Sequence, residues 1–155
     1  MTTVATDSYQ ERKTIRAAAR LSREFIGTLL EAGKLNPLEA HPPRLGRSVY
    51  VLRLLPSVWD CKRCAAKLGA EAGAPAFYIG TTGISVRDRI NQHVHGIKSS
   101  HMVRAHFAQR AKRMEPRTLW RESLEGRLTS KDAELLELTV FPQLFRLLGL
   151  GAHSA

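Results

Sequence analysis

Apolar residues recur at helical spacing between residues 8 and 34, and this pattern predicts a long N-terminal helix. Gly33 stands where such a helix would end, because glycine readily adopts the backbone conformation found at helix C-termini. Three prolines follow between residues 36 and 46, where they disfavour a helix and indicate a linker. We therefore expect residues 1–46 to form a helical extension with a proline-rich linker, and residues 47–150 to form the main domain.

Two β-branched and aromatic runs, residues 48–55 and 76–79, predict strands. Twenty residues separate them, which is too long for a structureless connection in a compact domain. Ser57 and Asp60 form a Ser-x-x-Asp pair typical of a helix start, so we expect a helix between the strands that ends at Gly69.

The second half of the chain alternates helical stretches with turn residues. Ser85 and Asp88 predict the start of a helix after the second strand, and Gly96 predicts its end. Further helices are expected over residues 100–114 and 130–141, the latter kinking or restarting at Pro142. Helices and strands together indicate an α+β fold.

The predicted helix 86–96 places two side chains suited to chemistry on the same edge of its apolar face. At about 100° per residue, Arg89 and His93 stack beside that face, whereas His95 points to the opposite side. A single histidine on a helix more commonly has a structural role, so His93 is a candidate only in combination with other groups. The apolar positions of this helix are Val86, Ile90, Val94 and Ile97.

Glu137 lies within the apolar stripe of the C-terminal helix, where an ionised carboxylate needs a partner. Either a salt bridge to an arginine or a metal ion would serve, and the periodicity leaves both open. Tyr50 and Tyr78 lie in the strands, where each could also be an ordinary core aromatic. Two tyrosines, an arginine, a histidine and a carboxylate are, however, groups able to cleave a phosphodiester with one divalent ion.

The charge of the chain favours a polyanionic partner. Its formal net charge is +10 with a pI near 10.3, and residues 87–121 hold nine Lys and Arg against two acidic residues. Such a basic flank is expected to grip phosphates, although an ordinary solvated surface can be equally basic. The candidate nucleic-acid-binding residues are Arg87, Lys98, Arg104, Arg110, Lys112 and Arg113.

Two cysteines, Cys61 and Cys64, are too few for a disulfide framework and favour a reducing compartment. We expect them to pack as small apolar residues, because one Cys-x-x-Cys without a second ligand pair is a weak signal for metal or redox chemistry. The chain lacks both a long apolar run and an N-terminal signal pattern, so a cytoplasmic protein without membrane association is expected.

In order and in element type, these motifs resemble the GIY-YIG nuclease superfamily. The resemblance covers residues 48 to about 148 and rests on four segments, with Ser48 and Val49 standing where the family usually has Gly and Ile. An extra residue separates Gly80 from Arg89, which leaves Arg87 as a secondary candidate for the arginine. The segments are Ser48-Val49-Tyr50, Tyr78-Ile79-Gly80-x-Thr82, Arg89-Ile90-x-x-His93 and Ala133-x-x-x-Glu137.

The resemblance implies a small antiparallel three-stranded sheet flanked by helices, and a site that uses one Mg²⁺ or Mn²⁺. It also implies roles: Tyr50 as general base or orienter of the nucleophile, Tyr78 as a residue lining the site, Arg89 as a stabiliser of phosphoryl charge, His93 as an aid to proton transfer and Glu137 as the metal ligand. We therefore expect a metal-dependent DNA endonuclease.

Two other functions fit the sequence. One is a nuclease-like module that binds nucleic acid without cutting it. The other is an interaction protein whose 8–34 helix pairs with itself or with a partner.

Overall fold

A computed structural model describes residues 8–39, 46–107, 113–114 and 124–154. Within these ranges, six α-helices and four strands follow one another, together with a 3₁₀ helix at Pro56–Asp60 and a π-helical segment at Leu136–Val140. The helices are α1 (Tyr9–Glu31), α2 (Lys62–Ala65), α3 (Val86–Val94), α4 (His101–His106), α5 (Ser130–Leu135) and α6 (Phe141–Leu147). The strands are β1 (Ser48–Arg53), β2 (Ala76–Thr82), β3 (Arg113–Met114) and β4 (Gly151–Ser154).

The sheet is mixed, with strand order β3-β1-β2-β4. β1 pairs antiparallel with both β2 and β3, whereas β4 runs parallel to β2 along its other edge. The α+β class with flanking helices is thus confirmed, but the predicted purely antiparallel three-stranded sheet is wrong. Gly151 and Ala152 are not β-branched, so their sequence does not favour a strand. β4 forms because its backbone pairs with that of β2.

The sheet separates two apolar clusters because side chains alternate along each strand. Val49 and Ile79 point to a core shared with α1 and the C-terminal helices, while Tyr50 and Tyr78 point to a core shared with α2, α3 and α4. α1 contributes Ala18 to the first core, where this residue is fully buried. None of the helices in the described part of the chain is long and apolar enough to cross a bilayer.

Helix ends agree with the sequence where they depend on local contacts. The hydroxyl of Ser85 accepts the Asp88 amide hydrogen at 3.1 Å, and Gly96 follows α3 with φ of 70°. The predicted start and end of this helix are thereby confirmed. α6 begins at Phe141, so the predicted restart at Pro142 is also confirmed.

The π-helical segment lies directly before this restart. Pro142 has no amide hydrogen to donate to the carbonyl of Leu138, four residues earlier, and this breaks the regular α-helical pattern. A helix that continued unbroken through the proline would cost about 3 kcal/mol.

Two predicted helices are shorter than expected. Between the strands, the extended backbone of Cys61 (φ −95°, ψ 108°) separates the 3₁₀ helix from α2, and Ser57 bonds to His106 instead of capping a helix. The predicted helix 100–114 ends at His106, since Phe107 is extended and Arg113 pairs with Leu52 of β1. In both places tertiary hydrogen bonds outweigh local helical preference.

Candidate active site

The candidate site is built on the face of the sheet that carries Tyr50 and Tyr78. Tyr50 lies opposite Gly80 in the antiparallel register, and Leu52 lies opposite Tyr78, so all four positions share one face. Both tyrosine side chains are buried, with exposed fractions of 2% and 4%. The strands therefore place the two tyrosines diagonally across the β1–β2 pair.

Gly80 gives the Tyr50 ring the space it occupies. A Cβ atom added at Gly80 would lie 2.4 Å from both Cζ and Oη of Tyr50, which is far closer than non-bonded atoms approach. The need for glycine is therefore steric. Without a side chain at this position, the Tyr50 ring can lie across β2 and reach α3.

His93 of α3 meets the Tyr50 hydroxyl. Tyr50 Oη lies 2.7 Å from His93 Nε2, and the other ring nitrogen, Nδ1, lies 2.8 Å from Ser99 Oγ. The Ser99 hydroxyl donates to the Ile97 carbonyl at 3.3 Å, so its oxygen is left to accept a hydrogen from His93 Nδ1. This chain of bonds assigns the proton to Nδ1 and leaves Nε2 to accept the Tyr50 hydrogen.

Burial keeps this pair neutral. It raises the pKa of Tyr50 to about 12, although the nearby Arg89 charge opposes the shift. It also lowers the pKa of His93 to about 4, and there the Arg89 charge acts in the same direction. At neutral pH the shared proton therefore belongs to Tyr50, and His93 is an unprotonated acceptor.

Arg89 lies at the edge of the same site and is half-buried. Its Nη1 donates to Gln92 Oε1 at 2.8 Å and its Nη2 donates to the Lys98 carbonyl at 3.0 Å. These bonds fix the guanidinium where its charge influences the pKa of Tyr50, Tyr78 and His93. The fixed guanidinium of Arg89 therefore places a positive charge beside Tyr50 and His93, which can exchange a proton.

Tyr78 lines the same space. Its ring meets the His93 ring edge-on, with centroids 6.2 Å apart, and burial raises its pKa, opposed by a hydrogen bond with Ser100. Ser100 also caps α4, accepting the Val103 amide hydrogen at 3.4 Å. The tyrosine is thus packed between α3 and the start of α4.

Glu137 approaches from the π-helical segment and is buried, with 8% of its surface exposed. Burial raises the pKa of its carboxyl, while the Arg47 charge and the Thr81 backbone amide oppose that shift. Its negative charge in turn raises the pKa of Tyr50 and Tyr78. Glu137 therefore belongs electrostatically to the same site.

The two partners expected for Glu137 can now be compared. Arg47 is near enough to stabilise its charge, but it donates to Thr81 Oγ1 at 3.2 Å, and no described residue forms an ion pair with Glu137. A single carboxylate with its remaining ligands supplied by water and phosphate oxygens is a common Mg²⁺ arrangement. Among the described residues, Glu137 therefore has the chemistry of a protein ligand to such an ion.

The basic candidates are distributed unevenly. Arg87, Lys98 and Arg104 are exposed, and Arg87 lies away from the buried face of α3. Arg113 contributes backbone to β3. The other two, Arg110 and Lys112, lie outside the described residues.

Two further residues of the site, Ser99 and Arg47, were not predicted. Ser99 follows the end of α3 in an irregular segment, so no periodicity marks it. Arg47 directly precedes β1, and only the pairing of β1 with β2 brings it beside Thr81.

Comparisons of the chain with models of known protein families, with curated proteins and with solved structures find no match. The function of the site is therefore inferred from its geometry and chemistry.

Proposed function

We propose that the protein is a metal-dependent endonuclease that hydrolyses DNA phosphodiester bonds. The observation that carries this proposal is the buried hydrogen bond of 2.7 Å between Tyr50 Oη and His93 Nε2. Arg89 lies beside this pair and Glu137 acts on it electrostatically. A proton acceptor, a fixed cation and a carboxylate able to hold a metal are groups that can catalyse phosphodiester hydrolysis.

The Tyr50–His93 pair provides a route for the proton of an attacking water. As Tyr50 Oη takes a proton from water, its own hydrogen passes to His93 Nε2. Because burial raises the pKa of Tyr50 to about 12, a bare phenolate is not available at neutral pH. The transfer to His93 removes that requirement, and Ser99 keeps the ring oriented through Nδ1.

Arg89 stabilises the charge that develops on the phosphoryl oxygens. Its bonds to Gln92 and Lys98 hold the guanidinium in place before the substrate arrives, so little reorganisation is needed during the reaction. Glu137 would hold one Mg²⁺ or Mn²⁺ ion. When bound, such an ion supplies Lewis-acid stabilisation of negative phosphate oxygens.

The test is nicking of supercoiled plasmid DNA with Mg²⁺, Mn²⁺ or EDTA. We expect cleavage by the wild-type chain with either metal and none with EDTA. Glu137→Gln should reduce the rate by at least about 100-fold, in the range of other lost electrostatic and acid–base contributions. Glu71→Gln changes an exposed glutamate of the loop before β2 and serves as the matched control. Equal rates for wild type and Glu137→Gln would refute the proposal.

The second candidate function is a module that binds DNA without cutting it. The observation in its favour is that the Arg89 guanidinium already has intramolecular acceptors, while exposed cations at Arg87, Lys98 and Arg104 are available to phosphates. This function predicts metal-independent binding that weakens steeply with salt. Replacing Lys98 and Arg104 by glutamine should make that dependence shallower by about one unit of log–log slope for each phosphate that is no longer neutralised. Binding without cleavage under any metal condition would favour this function over the first.

A further inference from the structure

Four side chains able to bind a metal converge where α2 and α4 pack next to the 3₁₀ helix. One sulfur or nitrogen atom from each of Cys61, Cys64, His101 and His106 lies within 4.8 Å of the others. We propose that these four residues form a structural zinc site. This site is distinct from the Glu137 region and does not depend on the proposed nuclease activity.

The order and spacing of the residues suit zinc. Two residues separate the cysteines and four separate the histidines, within the ranges common to zinc sites with two ligands of each kind. The cysteines flank the start of α2, whereas the histidines lie on α4, whose first residue follows Cys64 by 37 positions. The fold thus supplies the second ligand pair that a lone Cys-x-x-Cys lacks.

His106 shows which nitrogen is available. Its side chain is 9% exposed, and Nδ1 lies 3.0 Å from Ser57 Oγ. Nε2 is buried and has no hydrogen-bond partner among the described residues. A buried nitrogen without a partner is costly, and a metal ion would satisfy its lone pair. The Ser57 contact then plays the part of the outer hydrogen bond that orients metal-ligating histidines.

The two cysteines are also positioned to bind a metal ion. Cys61 Sγ accepts the Cys64 amide hydrogen at 3.4 Å, so the backbone already stabilises negative charge on this sulfur. Cys64 is buried, which shields its sulfur from solvent. The two sulfurs and the two histidines lie close together because α2 and α4 each pack next to the 3₁₀ helix.

Ligand chemistry selects zinc over magnesium. Tetrahedral zinc, with sulfur at about 2.3 Å and nitrogen at about 2.0–2.1 Å, sets its ligand atoms about 3.3–3.8 Å apart. The observed spread of 4.8 Å therefore needs only a small contraction. Magnesium prefers oxygen ligands and is not expected here. Four protein ligands leave no open position, which is characteristic of a structural ion.

The ion would join the connection between β1 and β2 to α4. α4 begins at His101, directly after Ser99 and Ser100, which contact His93 and Tyr78. A zinc ion would therefore also restrain the segment that positions the candidate active site.

The experiment is a Co²⁺ titration of the full-length, reduced, metal-free protein, followed by optical absorption. We expect one Co²⁺ per chain, with tetrahedral d–d bands and a thiolate charge-transfer band that added Zn²⁺ abolishes and Mg²⁺ leaves unchanged. Cys64→Ser and His106→Asn should weaken metal binding by more than about tenfold. His95→Asn changes an exposed histidine of the same region and should leave binding intact.

Ser57→Ala tests the orienting contact. This variant keeps all four ligands, so we expect the bands to persist while affinity falls by about 10- to 100-fold. Unchanged affinity in Ser57→Ala would contradict the assignment of His106 Nε2 as the ligand atom.

A second measurement guards against variants that do not fold. In the wild-type chain, Zn²⁺ should slow alkylation of Cys61 and Cys64, whereas Mg²⁺ should not. Equal alkylation rates with and without Zn²⁺, or an absence of thiolate charge transfer with Co²⁺, would overturn the proposal. DNA cleavage is measured separately, so loss of one function does not decide the other.

Discussion

The hydroxyl of Tyr50 and Nε2 of His93 lie 2.7 Å apart inside the protein, joining β1 to α3. Burial acts on the two groups in opposite directions, raising the pKa of Tyr50 to about 12 and lowering that of His93 to about 4. In the resting protein the shared proton therefore stays on the Tyr50 hydroxyl, and the unprotonated Nε2 of His93 accepts the hydrogen bond. This hydrogen bond should therefore affect both the free energy of unfolding and the rate of DNA cleavage.

Removing the Tyr50 hydroxyl should affect both properties. Tyr50→Phe leaves His93 Nε2 buried without its partner, which we expect to lower the free energy of unfolding by about 1–3 kcal/mol. DNA cleavage should fall by at least about 100-fold, since the proton route is lost. Urea denaturation and plasmid nicking measure the two effects. Tyr9→Phe, at an exposed tyrosine of α1, is the matched control. Cleavage at the wild-type rate in Tyr50→Phe would exclude this hydroxyl from the reaction.

Stability should depend on pH through His93. In the unfolded chain its pKa is near the ordinary value of 6.5, whereas in the folded protein it is about 4. Between these values the unfolded state binds more protons, so stability is fully present above about pH 6.5 and is lost as pH falls towards 4. The loss should amount to about 1–3 kcal/mol. Burial also lowers the pKa of His153, which contributes with the same sign.

Urea midpoints measured between pH 7 and pH 4 test this dependence. His93→Gln should flatten the curve, because the titrating group is removed, while His95→Gln should follow wild type. A His93→Gln curve as steep as wild type would show that other groups account for the acid sensitivity.

The contact between Gly80 and Tyr50 predicts a local steric effect. Gly80→Ala places a Cβ 2.4 Å from the Tyr50 ring, so the ring must move or the strands must separate. We expect a loss of about 1–3 kcal/mol, typical of overpacking, together with reduced cleavage. Gly27→Ala is the control, because no atom lies within 4 Å of its added Cβ and alanine favours the helix by about 0.5–1 kcal/mol. Equal stabilities of the two variants would contradict the close packing seen at Gly80.

Ser99 should act on the reaction through His93. Ser99→Ala removes the acceptor for Nδ1–H, so the ring loses its fixed tautomer and orientation. We expect kcat to fall by about tenfold or more with KM little changed, and the pH profile of kcat to shift. Ser99→Thr keeps a hydroxyl and should recover most of the rate. If the threonine variant were as slow as the alanine variant, the hydroxyl could not be the group responsible.

Several features of the site follow from local pattern. The helical wheel separates His93 from His95, and the structure buries the former and exposes the latter. Strand alternation places Tyr50 and Leu52 on one face of β1, whereas the register of β1 with β2 brings Tyr78 to that face. Such inferences succeed because they depend on residues only two to four positions apart, whose geometry the backbone period determines.

Other features required contacts between distant segments. Ser99 completes the hydrogen bonds of His93 from an irregular segment, and Arg47, just before β1, reaches Thr81 on the adjacent strand β2. The cysteines were expected to be simple apolar residues because a single Cys-x-x-Cys shows no second ligand pair nearby in the sequence. The histidines that meet them lie on α4, far along the chain, and only the fold brings the two pairs together.

By itself, the sequence determined the α+β class, the capping of α3 by Ser85 and the restart of the last helix at Pro142. These features depend on hydrogen bonds and steric clashes within a few residues. Only the tertiary structure decided the parallel pairing of β4 with β2, the proton position on His93 and the meeting of Cys61 and Cys64 with two histidines. Each of these joins segments far apart in the chain, so it exists only once packing of the whole core has offset the entropy of ordering them.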